Sequence, residues 1–172
     1  KLKLKRRNLS GKSGCGLCGV ESLREALMPV KRVAEDTYLH RDSLHLAKEN
    51  LESYQSIRKD TGSAHGAAYC KSDGEIIAVR EDVGRHNALD KLIGVLLARG
   101  EVREGFILMT SRASYEIVSK VATVGVPILA CVSAPTSSAV EQAELAGVTL
   151  VRYLSHFDEA VYTAPHRIIN TS

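Results

Sequence analysis

The chain has 172 residues, and its 23 Lys and Arg against 20 Asp and Glu give a formal charge of +3 with the histidines neutral. Hydrophobic residues make up 44% and charged residues 25%, the balance of a globular domain long enough to bury one core. So small a charge does not point to a nucleic acid partner, and apolar runs such as IGVLLA at 93–98 are too short to span a membrane.

The opening KLKLKRRNLS is basic but has no apolar stretch behind it, so it does not read as a signal peptide. A cytoplasmic location is expected. The stretch SGKSGCGLCGVESL, residues 10–23, then sets Cys15 and Cys18 among glycines at 11, 14, 16 and 19. Its GKS resembles the end of a phosphate-binding loop. That motif requires a glycine five residues before its Gly-Lys, and the position holds Arg6. Residues 1–24 are therefore read as a basic lead and a mobile CxxC loop, and residues 25–172 as a single α/β domain.

VESLREALMPVKRV reads as a short helix interrupted at Pro29. RDSLHLAKENLESYQSIRK, residues 41–59, has apolar or semi-apolar positions at 44, 47, 51, 54 and 57, which predicts one helix with Ser43 as its N-cap. AAYCK and EIIAVRE flank Ser72-Asp73-Gly74, a hairpin signal. From there the pattern alternates. HNALDKLIGVLLAR is a helix closed by Gly100 and GFILMTS a strand. SYEIVSKVATV is a helix and PILACVS a strand. TSSAVEQAELA is a helix capped by Thr136, and VTLVRYL a final strand. This alternation predicts a three-layer α/β/α fold around a mostly parallel mixed sheet.

In such sheets ligands bind beyond the carboxyl ends of the strands. The residues there include Arg85, His86 and Asn87 after EIIAV, Ser111 and Arg112 after GFILM, Ser133 and Thr136 after PILAC, and the run from Tyr153 after VTLV. Hydroxyls beside helix starts, together with bidentate arginines, suit an anionic ligand. The same hydroxyls also serve as plain helix caps. His65, flanked by small residues, is a further candidate, as ligand group or as structural histidine.

Four cysteines are present. Cys70 and Cys131 sit in apolar segments and read as inert packing. The CxxC pair supplies only half of a structural zinc site, and no second CxxC exists. His40 and His45 would complete it only by accident of the fold. The deaminase signature of H-x-E followed by P-C-x-x-C is also missing, so no resident metal is expected. Thiol chemistry remains, with Lys12 and Arg24 near enough in sequence to favour a thiolate. A persulfide on such a loop would be a group carrier.

The segments CGLCG, TGSAHGAA, DGEIIAVREDVGRHNALDKLIG, SRASYEIVSKVA, SAPTSSAVEQAELAGVTLV and AVYT together resemble the FdhD family, over residues 15–168. The resemblance implies a cytidine-deaminase-like fold without the zinc. It implies a sulfurtransferase that takes sulfur from a cysteine desulfurase and passes it to the molybdenum cofactor, bis-molybdopterin guanine dinucleotide, bound as a substrate. The product would serve formate dehydrogenase. Cys15 would carry the persulfide and Cys18 would assist. Tyr153, Leu154, Ser155, His156, Phe157 and Asp158 stand where family members carry a basic, glycine-containing cofactor loop. A homodimer is expected, and a family segment ahead of the CxxC loop is expected to be absent. Two alternatives remain: a chaperone that binds the cofactor without transferring sulfur, and a zinc-stabilised interaction module.

Overall fold

A computed structural model describes residues 32–34, 36–100, 104–155 and 158–170. Cys15, Cys18 and the expected helix around Pro29 lie outside them. A six-stranded sheet has the order β3-β2-β4-β5-β6-β7, built from β2 (His65–Cys70), β3 (Ile76–Asp82), β4 (Phe106–Arg112), β5 (Ile128–Ser133), β6 (Thr149–Ser155) and β7 (Asp158–Val161). β2 runs antiparallel to both β3 and β4, β4–β5–β6 are parallel, and β7 turns back along β6. Four of the six strands, β3 to β6, thus point the same way. A separate two-residue parallel pair joins β1 (Leu39–His40) to β8 (Ile168–Ile169).

The helices are α1 (Arg41–Leu51), α2 (Ser56–Thr61), α3 (Arg85–Arg99), α4 (Tyr115–Thr123) and α5 (Ser137–Ala146). Side chains alternate across the strands and divide the core in two. Ala67, Ile107, Met109, Leu129 and Leu150 face Leu89 and Leu92 of α3, Ile117 and Val121 of α4 and Ala143 of α5. Ala68, Leu108, Ala130 and Val151 face Leu44, Ala47 and Leu51 of α1. This is the three-layer arrangement that the alternating pattern predicts.

The hairpin forms at Ser72–Gly74, where the Asp73 carboxylate accepts from the Glu75 N–H at 2.9 Å and Gly74 takes a φ of +92°. Gly100 closes α3 in the left-handed conformation, and the Thr136 hydroxyl caps α5 by accepting from the Ala139 N–H at 3.2 Å.

Three expectations need correction. The helix over 41–59 is two helices, because a 3-10 turn at Glu52–Tyr54 and a non-helical Gln55 (φ −99°, ψ 74°) interrupt it. The first of them is preceded by His40 as N-cap, and Ser43 lies buried within its first turn. VTLVRYL is followed by a further strand, β7, whose short and largely polar DEAV gives no apolar run to mark it.

Candidate ligand-binding edge

The direction of the strands decides which loops meet. The carboxyl ends of β3, β4, β5 and β6 share one edge of the sheet, and β2, running the other way, brings its first residue to that edge. His65 accordingly pairs in register with Asp82, and Arg112 with Ser133. The structure thus brings His65, Arg85, His86, Ser111, Arg112, Ser133 and Thr136 to the same side of the molecule.

The loop from β3 into α3 is shaped by Asp82. Its carboxylate accepts from the Gly84 N–H at 2.9 Å, the Asn87 amide at 3.2 Å and the Lys91 ammonium at 2.5 Å. The Lys91 hydrogen bond, helped by those from Gly84 and Asn87, pulls the Asp82 carboxyl down to about 2. Asn87, expected as a ligand group, therefore spends its side chain orienting this loop.

Two helices begin at the edge with no side-chain cap, α3 after Gly84 and α4 after Ser114. Their first N–H groups and dipole ends favour an anion. The Ser114 hydroxyl, the Nε of Arg85 and the Nε of Arg152 are buried without a hydrogen-bond partner. Among the described residues, no carboxylate forms an ion pair with Arg58, Arg85, Arg112 or Arg152. Burial, then the Arg85 and Arg58 guanidinium groups, hold His65 below its ordinary value and so keep it neutral. His86 is also lowered, chiefly by burial, against the opposing pull of Glu116, whose carboxylate lies 3.5 Å from its Nε2. Donors without acceptors, and arginines without acids among the described residues, fit an anionic ligand rather than a cation.

Other expected residues have different roles. Thr136 uses its hydroxyl to cap α5, so its main chain is what remains for a ligand. The Ser111 hydroxyl is buried and donates to the Arg112 carbonyl at 3.2 Å. Tyr153 turns away from the edge into the α1 face. It is 3% exposed, and its hydroxyl donates to the Leu44 carbonyl at 2.7 Å. Burial keeps that phenol well above its ordinary value. As a side-chain ligand group Tyr153 is corrected to a structural residue, because the pleat points it into the core. Leu154 and Ser155 continue β6 in their backbone, Asp158 begins β7 exposed to solvent, and His156 and Phe157 lie outside the described residues.

Arg58 is not signalled by the rule of strand ends, because it lies on α2, ahead of β2, and not after the carboxyl end of a strand of the sheet.

Both described cysteines are poor nucleophiles. Burial pushes Cys70 up to about 12 and Cys131 higher still. No group of three or more His, Cys, Asp or Glu that could hold a metal occurs among the described residues, and none of their helices is long and apolar enough to cross a membrane.

Comparison with known proteins places this architecture. The FdhD/NarQ family matches residues 1–169. A sulfur carrier protein FdhD from Cupriavidus necator is 46% identical over 169 residues, covering 98% of this chain and 59% of that protein. Its counterpart from Bordetella bronchiseptica is 44% identical, with 98% and 61% covered. The chain therefore spans about three-fifths of the length of these relatives. A crystal structure of a candidate formate dehydrogenase accessory protein from Desulfotalea psychrophila superposes with a TM-score of 0.77 at 29% identity, over 85% of this chain and 62% of that one. The chain belongs to the FdhD/NarQ family.

Proposed function

We propose that this chain is a sulfur carrier for the maturation of formate dehydrogenase in the cytoplasm. It receives sulfur on Cys15 from a cysteine desulfurase and delivers it to bis-molybdopterin guanine dinucleotide held at the carboxyl edge of the sheet. The observation that carries this reading is the positive edge: the uncapped starts of α3 and α4, and arginines that pair with no carboxylate among the described residues, gathered from β3 to β6. The name borne by the relatives supports sulfur as the cargo.

The choice of thiol follows from burial. Cys70 and Cys131 are sealed in the core with raised thiol values, so neither can reach a desulfurase or form a thiolate readily. Cys15 and Cys18 are the other cysteines of the sequence. The thiolate of Cys15 attacks the outer sulfur of the persulfide on the desulfurase, whose cysteine leaves as thiolate, and Cys15 then carries the persulfide. On delivery the acceptor supplies the electron pair that bonds the outer sulfur, the S–S bond breaks, and its pair returns to Cys15 as thiolate. Cys18 assists. The edge residues bind and orient: Arg85, Arg112 and Arg152 offer guanidinium N–H groups to phosphate oxygens, and the α3 and α4 starts offer backbone N–H groups. His65, kept neutral, can donate or accept a hydrogen bond without altering the charge. The working form is a homodimer that meets both the desulfurase and formate dehydrogenase.

Intact-mass spectrometry after incubation with a cysteine desulfurase and cysteine tests this. One added sulfur that maps to Cys15 and vanishes in Cys15→Ala is the expected result. If no sulfur is added while guanine nucleotide still binds, the chain is a cofactor-binding chaperone instead.

A further inference from the structure

The interruption of the first helix leaves a short element with no apolar hold on the core. Every residue from Ser56 to Ser63 is exposed, Ile57 to 46%. A helix of six residues such as α2 is too short to hold itself in water, and without a buried face it gains little from packing. What holds it is polar. Gln55, at its N-cap, gives the helix start no side-chain hydrogen bond. The buried carboxylate of Glu81, on β3, takes that place. Its two oxygens accept from the Ile57 N–H at 2.8 Å and the Arg58 N–H at 2.9 Å.

The other hydrogen bonds of this stretch, among the described residues, stay within it. The Lys59 N–H donates to the Gln55 carbonyl at 3.0 Å, the Gly62 N–H to the Arg58 carbonyl at 2.7 Å, and the Thr61 hydroxyl to the Ile57 carbonyl at 2.7 Å. A movement of the whole element keeps them. The chain leaves helical geometry on both sides, at Gln55 (φ −99°, ψ 74°) and at Gly62 (φ 70°). Beside it lies the start of β2. Gln55 is 4% exposed, and its Nε2, buried without a hydrogen-bond partner, stands 2.6 Å from where a Cβ on Gly66 would be. Gly66 shares its face of β2 with Ala68, so this is the α1 side of the sheet.

We propose that α2 is a flap that opens as one unit at the carboxyl edge, hinged at Gln55 and Gly62 and pinned shut by the Glu81 carboxylate. Opening bares the start of β2 from the α1 side, with the Gln55 amide and the Glu81 carboxylate. The inference adds a moving part to the edge and does not depend on what binds there.

Native-state hydrogen exchange, read by NMR on the full chain at low urea concentrations, tests it. In the wild type the amides of Ile57, Arg58, Lys59 and Gly62 are expected to share one opening equilibrium. It should exceed that of the central β2 amides by about a hundredfold or more and be nearly insensitive to urea, because little surface is exposed. Glu81→Gln keeps the side chain's shape but leaves one acceptor oxygen for two N–H groups. It is expected to raise the shared equilibrium about tenfold or more, the scale of one lost charge-assisted hydrogen bond. Gly62→Ala meets no atom within 4 Å but is strained at its positive φ, and is expected to raise it about fivefold or more with Glu81 intact. Wild-type α2 amides as slow as those of β2, with the same urea dependence, overturn the flap, because α2 then opens only with the whole domain. Acceleration in Glu81→Gln confined to Ile57 and Arg58, with Lys59 and Gly62 unchanged, overturns the movement as a unit. No acceleration in Glu81→Gln removes Glu81 as the pin.

Discussion

Arg167 and the arginines of the carboxyl edge are the same residue type in opposite circumstances. Arg167 is 1% exposed, yet its guanidinium donates to the Gly147 carbonyl at 2.8 Å, the Thr149 hydroxyl at 3.1 Å and the Ala34 carbonyl at 3.0 Å. It ties the segment before β1 to the start of β6. A similar closure holds α1 to β7, where Glu159, buried beside Tyr153, takes Arg41 at 3.0 Å and His45 at 2.8 Å. At the edge, among the described residues, Arg58, Arg85 and Arg112 form no ion pair with a carboxylate, and the starts of α3 and α4 have no side-chain cap. Charges answered inside the protein stabilise the fold. Charges left unanswered are available to something that binds.

The largest effect expected from this contrast is on stability. Arg167→Ala should lower the unfolding free energy by about 3 kcal/mol, through a cavity and three acceptors left without their donor. Denaturant titration measures it, and a loss below about 1 kcal/mol would erase the distinction. Arg112→Ala should do the reverse. It should weaken guanine nucleotide binding by about 1.5–3 kcal/mol while changing stability by less than about 0.5 kcal/mol. An unchanged affinity would move Arg112 to the structural group.

The cysteines sharpen the same contrast. Cys131→Ser places a hydroxyl in an apolar part of the core and should lower stability by about 1–2 kcal/mol, with sulfur loading at Cys15 unaltered in the mass spectrum. The smallest effect is a pH dependence. His65 and His86 both titrate below 6.5 in the folded protein, so the unfolded chain takes up protons more readily. Their contribution is absent from stability curves well above pH 6.5 and becomes destabilising as pH falls through 6.5 towards the lower folded values. Melting temperatures between pH 7.5 and 5.5 should therefore decline less in His65→Asn/His86→Asn than in wild type. Parallel declines would show that the two histidines are not perturbed.

Most of the fold was legible because the second half of the chain obeys one rule at a time. Apolar strands, amphipathic helices, Gly100 and Thr136 each mark a boundary by local chemistry. The helix break at Gln55 was not legible, since it depends on Gly66 and Glu81, residues of strands formed later in the chain. β7 was missed because an edge strand beside polar turns has no apolar run. At the site, the rule that ligands lie beyond the strand ends pointed to His65, Arg85, His86, Arg112 and Ser133, which the strand directions bring to one edge. It failed for Tyr153, whose direction is set by the pleat of β6, and for Arg58, which reaches the edge only through tertiary packing.

The proposed delivery of sulfur requires that the thiol of Cys15 and the carboxyl edge meet. The rate of iodoacetamide labelling at Cys15, measured by mass spectrometry with and without saturating guanosine diphosphate or cofactor, tests this directly. Slower labelling with ligand present, abolished as a difference in Arg112→Ala at the same ligand concentration, is the predicted result. A labelling rate indifferent to ligand in a protein that demonstrably binds it would contradict the proposed function, separating the Cys15 thiol from the carboxyl edge.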